Sequence, residues 1–245
     1  MRVRAIIAYD GTDYQGFQRQ ANGCTVQEVL ETAVARVTGE ATTVLAAGRT
    51  DAGVHAEGQV IAFDTRWRHT LEELQRALNA VLPPEVAVRE MAQAALGFHP
   101  RYDAYSRHYR YTIYNWPVRS PLARRTSLHV PRRLDVGAMQ AVAQLLVGEH
   151  DFAAFGRPPQ GEKTVRRVLR AGWGGESPWL LFDIEANAFL YRMVRSLVGT
   201  MIQVGLGRMT VRAFDQVLAL RDRAQAGPTA PPHGLCLVEV KYESD

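Results

Sequence analysis

Asp51 lies in the loop Gly48-Arg49-Thr50-Asp51-Ala52-Gly53-Val54-His55, between two runs that read as strands. Glycine at 48 and 53 allows close backbone approach, and the neighbouring Arg49 and Thr50 favour the ionised carboxylate. Such a carboxylate, held at a sheet edge, can serve as a nucleophile or as a base. The competing reading is a plain turn stabilised by its aspartate. In the segment from Phe98 to Tyr111, four tyrosines interleave with Arg101, Arg107 and Arg110. Interleaved rings and guanidiniums suit stacking on unpaired bases and gripping phosphate. The bland counterpart is a half-buried strand with a solvated basic face. Between Glu185 and Gly199, Phe189, Leu190, Met193, Val194, Leu197 and Val198 form the apolar face of a predicted helix. Arg192 and Arg195 then stand one helical step apart. On this reading Asp51 is a candidate partner for such an arginine, unless both arginines reach solvent.

Other chemistries fail on residue type or spacing. Gly156 to Thr164 resembles a phosphate-binding loop, but Glu162 is inserted before Lys163. Pro158 and Pro159 also have no N–H to offer a phosphate, so a nucleotide triphosphatase is excluded. The histidines His55, His69, His99, His108, His129, His150 and His233 are scattered, with no helical pair and no cysteine pair beside them. No metal site is expected. The turn at Asp10 and Asp13 lacks the alternating oxygen ligands of a calcium loop.

These segments need rigid elements around them. Arg2–Tyr9 reads as a strand followed by a turn at Asp10-Gly11. Thr25 with Glu28 opens a helix to Gly39, and Thr70 with Glu73 opens another that stops at Pro83-Pro84. Strands are predicted at Thr43–Ala47, Gln59–Asp64 and Ser106–Asn115, and a hairpin at Val165–Trp173 and Trp179–Glu185. Asp135 caps a helix to about Val147. Phe189 to about Val204 and Val211–Ala224 read as helices, and Leu235–Tyr242 as a closing strand. The pattern predicts an α+β fold, a largely antiparallel mixed sheet flanked by helices. Its two similar halves, 1–105 and 106–245, form one continuous catalytic unit.

The 245 residues are 47% hydrophobic and 22% charged, which excludes a disordered or fibrous chain. Of 29 cationic residues only Lys163 and Lys241 are lysines, so 29 − 2 = 27 are arginines, the residue with a phosphate-matching planar fork. Codon bias or thermal adaptation would give the same composition, and a net charge of +4 is modest for a nucleic-acid binder. Cys24 and Cys236 are too few for a disulfide framework. The N-terminal apolar run is too short for a secretory signal, and Ser196–Gly207 is too short for a bilayer. A cytoplasmic protein is expected.

Taken in order, Tyr9-Asp10-Gly11 with Tyr14 and Gly16, Gly48–His55, Phe98-His99, Arg107–Tyr111, Asn187-Ala188-Phe189, Met193-Val194-Arg195 and Gly234-Leu235 resemble the tRNA pseudouridine synthase A family. The match spans nearly the whole chain, and the Gly48–His55 block is its most specific part. Phe17 stands where the family usually has tryptophan, a swap that bears on packing more than on chemistry. The resemblance implies isomerisation of uridine to pseudouridine at positions 38, 39 and 40 of the tRNA anticodon arm. It also implies no metal or cofactor, and a homodimer in which one tRNA touches both subunits.

By motif position, Asp51 corresponds to the catalytic aspartate and Tyr109 to the tyrosine that stacks on the target base and takes the proton from its C5. Arg195 corresponds to the arginine paired with the aspartate, Arg49 to the one that displaces the target base, and Leu235 to the apolar lining of the uracil pocket. Arg101, Arg107, Arg110 and Arg192 are the further RNA-binding candidates, and the pairs Arg124-Arg125, Arg132-Arg133 and Arg166-Arg167 are expected to grip phosphates. Two other readings compete with the isomerase: a non-catalytic RNA-binding module, and a carboxylate-dependent nuclease or glycosidase. The latter canonically needs a second carboxylate, and only Glu57 and Asp64 lie near Asp51 in sequence.

Overall fold

Along β1 (Arg2–Tyr9), Val3, Ala5, Ile7 and Tyr9 are buried while the residues between them are not, the two-residue period of a strand with one face on a core. The computed structural model describes residues 1–21, 23–158 and 161–243. Pro159 and Gln160 of the phosphate-loop-like segment lie outside the described residues. The chain divides into two compact units, Met1–Tyr105 with Cys236–Asp245, and Ser106–Leu235.

After β1 the first unit runs α1 (Val26–Thr38), β2 (Leu45–Ala46), β3 (His55–Asp64), α2 (Leu71–Val81) and β4 (Val86–Ala94). Then come β5 (Ala104–Tyr114), β6 (Leu128–His129), α3 (Val136–Leu145), β7 (Gly148–Asp151), β8 (Val165–Gly174), β9 (Trp179–Ala186), α4 (Met193–Gly205) and α5 (Val211–Leu220). The final strand, β10 (Leu235–Tyr242), returns to the first unit and pairs in parallel with β3, Cys236 opposite His55. Most other pairings are antiparallel, so the α+β, largely antiparallel mixed fold is what forms.

In the first unit β1 lies between β3 and β4, antiparallel to both, with Ala5 opposite Ile61 on one side and Met91 on the other. α1 and α2 form where expected. The Thr25 and Thr70 hydroxyls accept from the N–H groups of Glu28 and Glu73, and Glu73 completes the capping box on α2. Gly39 closes α1 at φ 75°, a left-handed turn that glycine adopts without strain. The strand expected at Thr43–Ala47 shortens to Leu45–Ala46. β4 has no counterpart in the sequence reading, because beyond Val86 and Val88 its residues are largely exposed and the alternation fades.

In the second unit β5 pairs with β9, β9 with β8, and β8 with β7, all antiparallel. β7, Gly-Glu-His-Asp, has no apolar period and exists through its backbone ladder to β8. α3 ends at Leu145 and α5 at Leu220, short of the expected Val147 and Ala224; a separate 3-10 turn covers Arg223–Gln225.

The largest correction concerns the helix expected from Phe189. α4 begins only at Met193, and Arg192, at φ 61°, is left-handed. The chain before it is held extended: Tyr191 bridges Arg157, its N–H donating to the Arg157 carbonyl at 2.8 Å. Gly156 lies so close beneath that an added Cβ would stand 2.6 Å from Leu190 Cβ. Pairing with a distant segment outweighs local helix propensity there. Arg192 and Arg195 are therefore not one helical step apart on a shared helix.

Candidate active site

In the first unit, β2 and β3 pair antiparallel, and the Asp51 loop joins them. Gln59, fully buried on β3, grips the loop's start. Its side-chain oxygen accepts from Gly48 N–H at 3.1 Å while its amide donates to Gly48 O at 2.8 Å. The buried Tyr9 hydroxyl at the end of β1 lies 2.7 Å from Thr50 Oγ1. Phe17 N–H donates to Thr50 O, Gly53 N–H to Tyr14 O, and Val54 N–H to Asp51 O. Two glycines let the preceding turn press against this loop. A Cβ at Gly11 would stand 2.0 Å from Val54 O, and one at Gly16, where φ is 90°, 2.8 Å from Thr50 O. His55 Nδ1 lies 3.1 Å from both Gly11 N and Asp10 Oδ1, clasping the turn after β1 to the strand after the loop.

Asp51 is half-buried on this frame, and Arg49 beside it is exposed. Buried hydrogen bonds on both sides hold the carboxylate's backbone, as a preorganised catalytic group needs. Phe17 is buried, 6.3 Å from the Tyr9 ring centre. The bracing role of Gln59 was missed in the sequence, where a strand glutamine carries no signal of its own, and Tyr9, though part of the ordered motif set, gave no sign of its contact with Thr50. His55 and His108 are hydrogen-bonded structural histidines, as isolated histidines usually are.

In the second unit, Tyr109 is buried on β5 with its ring edge-on to Phe189, 5.0 Å between centres. Arg195, on the first turn of α4, donates from Nε to Ala230 O at 2.8 Å, and Ala230 N–H donates back to Arg195 O. The strap Gly227–Gly234 runs along α4, with Gly227 N–H on Thr200 Oγ1 and Ser196 Oγ 3.3 Å from Thr229 Oγ1. It ends against Tyr111, whose hydroxyl donates to Pro231 O and whose ring faces Gly234 so closely that a Cβ there would be 2.6 Å from Cζ. Burial pushes the Tyr111 phenol far above its usual value, opposed only by the positive charge of Arg195. The strap delivers Leu235, itself buried, to the start of β10. Arg195 and Leu235 are thus both held through the strap, while Tyr109 is held against Phe189.

The other arginine candidates fare differently. Arg107 is buried and donates to Asn187 O at 2.9 Å. Arg110 makes a bidentate pair with Asp183 (3.0 and 3.2 Å), which His108 also meets at 2.6 Å. Beside them Ser106 Oγ and Arg170 both hold Glu185. Arg192 is exposed, its guanidinium 4.9 Å from the Tyr191 ring centre, and Arg101 lies 5.8 Å from that of Tyr102. Arg124, Arg125, Arg132, Arg133 and Arg167 are exposed, whereas Arg166 is half-buried and donates to Lys163 O and Val165 O. Among the described residues no group of three or more His, Cys, Asp or Glu is placed to hold a metal ion, and no helix is long and apolar enough to cross a membrane.

The Asp183 cluster carries a pH prediction. Burial alone would raise the Asp183 pKa, but hydrogen bonds from His108 and Arg110, with the Arg110 charge, outweigh it and hold it below the usual carboxylate range. Its ionised form therefore stabilises the fold fully above the unfolded-state value, and that contribution is lost as pH falls through the lowered folded-state value. On acidification the Tm of the parent should fall more steeply than that of Asp183→Asn. Parallel Tm–pH curves would show that the cluster contributes nothing to folding.

A family model described as tRNA pseudouridine synthase matches residues 5–103 and 142–243. A tRNA pseudouridine synthase A of Geotalea uraniireducens is 47% identical over 242 residues, covering 98% of this chain and 99% of the relative. That of Roseiflexus sp. strain RS-1 is 49% identical over 245 residues (98% and 90% covered), and that of Moorella thermoacetica 46% over 245 (98% and 99%).

Proposed function

The chain belongs to the tRNA pseudouridine synthase family and is an isomerase converting uridine in tRNA to pseudouridine, and we propose that it acts at positions 38, 39 and 40 of the anticodon arm with Asp51 as its catalytic carboxylate. The observation that carries Asp51 as the catalytic carboxylate is the bracing of its loop by buried Gln59, Tyr9 and Thr50, while the sequence resemblance supports the three positions. A turn kept only to connect two strands has no need of a buried side chain committed to its backbone.

The reaction breaks the bond from uracil N1 to C1′, turns the base, and joins C5 to C1′; C5 loses a proton and N1 gains one. The atoms balance without an external electron source. Charge develops on both fragments as the glycosidic bond breaks, and an ionised carboxylate held in place acts on it without reorganisation. Asp51 adds to the base, attacks the sugar, or takes a sugar proton, and ionisation serves all three routes. The edge-on Phe189 ring supports Tyr109 as the face on which the base stacks, and the sequence resemblance supports its phenol as the acceptor of the C5 proton. The anchorage of Arg195 on the strap supports it as counter-charge to the carboxylate, and the burial of Leu235 supports it as the apolar wall that keeps the detached base from escaping. Arg49, exposed beside Asp51, is suited to fill the gap left when the target leaves its stack, a step costing a few kcal/mol. No cofactor enters this scheme. The two units serve one reaction, and the protein works as a cytoplasmic homodimer with tRNA touching both subunits; the sequence resemblance supports that part.

The test is tritium release from C5-tritiated uridine in unmodified tRNA, mapped to single positions. Release confined to 38, 39 and 40 is expected; release from other uridines would reject the site assignment. Strand scission or free uracil as product would point to a nuclease or glycosidase. The exposed pairs Arg124-Arg125 and Arg132-Arg133, with Arg167, are proposed phosphate contacts. Replacing either pair by glutamine should weaken tRNA binding and flatten the log–log salt dependence by roughly 0.7–0.9 for each phosphate no longer neutralised. An unchanged slope would remove that pair from the interface.

A further inference from the structure

The tyrosine-rich segment divides on folding. Its second half, Arg107–Tyr111, is committed inside β5, while its first half stays at the surface of the first unit. There the loop between β4 and β5 is internally built. His99 N–H donates to Asp103 Oδ2, Arg101 N–H to His99 Nδ1, and Tyr102 N–H to His99 O. The His99 and Tyr102 rings lie 4.2 Å apart, yet Tyr102 remains 71% and Tyr105 52% exposed. Both line an open cleft of about 640 Å³ with Phe98, Tyr242, Asp103 and Glu243, a volume in the range of small-ligand sites. Its floor is rigid: Tyr242 donates to Pro100 O, and Arg4 stacks 4.5 Å from the Tyr242 ring centre and 5.9 Å from that of Phe98.

We propose that this cleft holds an unpaired nucleobase of the tRNA, stacked on Tyr102 and Tyr105, at a subsite distinct from the one that takes the target uridine. The separation follows from the strands. Cys236 of β10 lies opposite His55, next to the Asp51 loop, and Tyr242 is six residues further along the same strand, roughly 20 Å away at about 3.3 Å per residue. The ligand chemistry follows from the lining. The carboxylates of Asp103 and Glu243 offset the charges of Arg4, stacked on two rings, and of Arg101, 5.8 Å from the Tyr102 ring centre, so the cleft favours a flat, uncharged ring. A base with an exocyclic amino group adds a donor that those carboxylates accept. Rings exposed on a built loop, in a protein that acts on RNA, match the way proteins read unstacked bases.

This proposal rests on tRNA being the substrate, so two quantities are measured separately. Tritium release by the parent scores the isomerase reading alone; filter binding of unmodified tRNA by the parent, by Tyr102→Ala/Tyr105→Ala and by Tyr102→Phe/Tyr105→Phe scores the cleft. Loss of one stacked base predicts a Kd raised about 5- to 150-fold in the alanine variant, with kcat at saturating tRNA and the salt slope unchanged. The phenylalanine variant should bind like the parent. An unchanged Kd overturns the proposal. So does a flattened salt slope, which would mean phosphate contact, or a fall in kcat with Kd intact. Should the double alanine variant fail to fold, Tyr102→Ala alone, at the more exposed ring, gives the same reading.

Discussion

Asp51→Asn is expected to lose at least about a thousandfold in tritium release while binding tRNA as the parent does, a loss of roughly 4 kcal/mol of transition-state stabilisation. The substitution keeps the shape of the side chain, removes its charge and turns one acceptor oxygen into an amide donor. Gln59 on Gly48, Tyr9 on Thr50, and the backbone bonds of Phe17 and Gly53 brace the loop whichever of the two side chains stands at 51. The fold should therefore survive, and an unchanged Tm is the control. If Asp51→Asn released tritium at the parental rate, the isomerase would stand but its catalytic group would lie elsewhere. If the parent itself bound tRNA and released nothing, the chain would act as an RNA-binding module.

Gly199→Ala should be the most damaging small change outside the Asp51 loop. In a helix interior, alanine ordinarily gains about 0.5–1 kcal/mol over glycine. Here the sign reverses, because a Cβ at 199 would stand 1.8 Å from Pro228 O and 2.9 Å from Ala230 N, both backbone atoms of the strap. Backbone cannot swing aside as a flexible side chain does, so the strap must lift from α4. The cost is about 1–3 kcal/mol or more, a fall in Tm of roughly 2–12 °C at this chain length. Activity should fall further than stability, because the same strap fixes Arg195 through Ala230 and places Leu235. Gly97→Ala, with nothing within 4 Å, is the matched control and should be silent. A Gly199→Ala protein with parental Tm and turnover would show that the strap does not depend on its seat on α4.

Much of the architecture is local in origin and legible in the chain. β1 shows its alternation, Thr25 and Thr70 announce their helices, and Gly39 ends one of them, because caps and periodicity act over a few residues. The Gly48–His55 block is legible for a similar reason: its glycines and charged residues mark a loop with chemistry whatever surrounds it. Elements made by pairing are not legible. β4 and β7 lack an apolar period and owe their existence to β1 and β8, which supply the partner N–H and C=O groups. Arg192 departs from the helix expected of it for the same cause, since the segment before it follows Arg157 rather than its own helical spacing.

What the amino-acid sequence determined by itself is the chemistry available: one aspartate in a glycine-bounded loop, arginine in place of lysine, tyrosines among arginines, and an ordered set of segments shared with one enzyme family. Which of those side chains are committed inward was decided only in three dimensions. Arg107, an RNA-contact candidate along the chain, is buried with its guanidinium on a carbonyl of Asn187, whereas Arg110 pairs with Asp183 while 39% of its side chain stays exposed. Tyr109 and Tyr102 look alike in sequence, yet one is buried against Phe189 and the other stands open. The physical reason is that a side chain's partner is set by what the fold brings opposite it, often eighty residues away, and no local pattern encodes that neighbour.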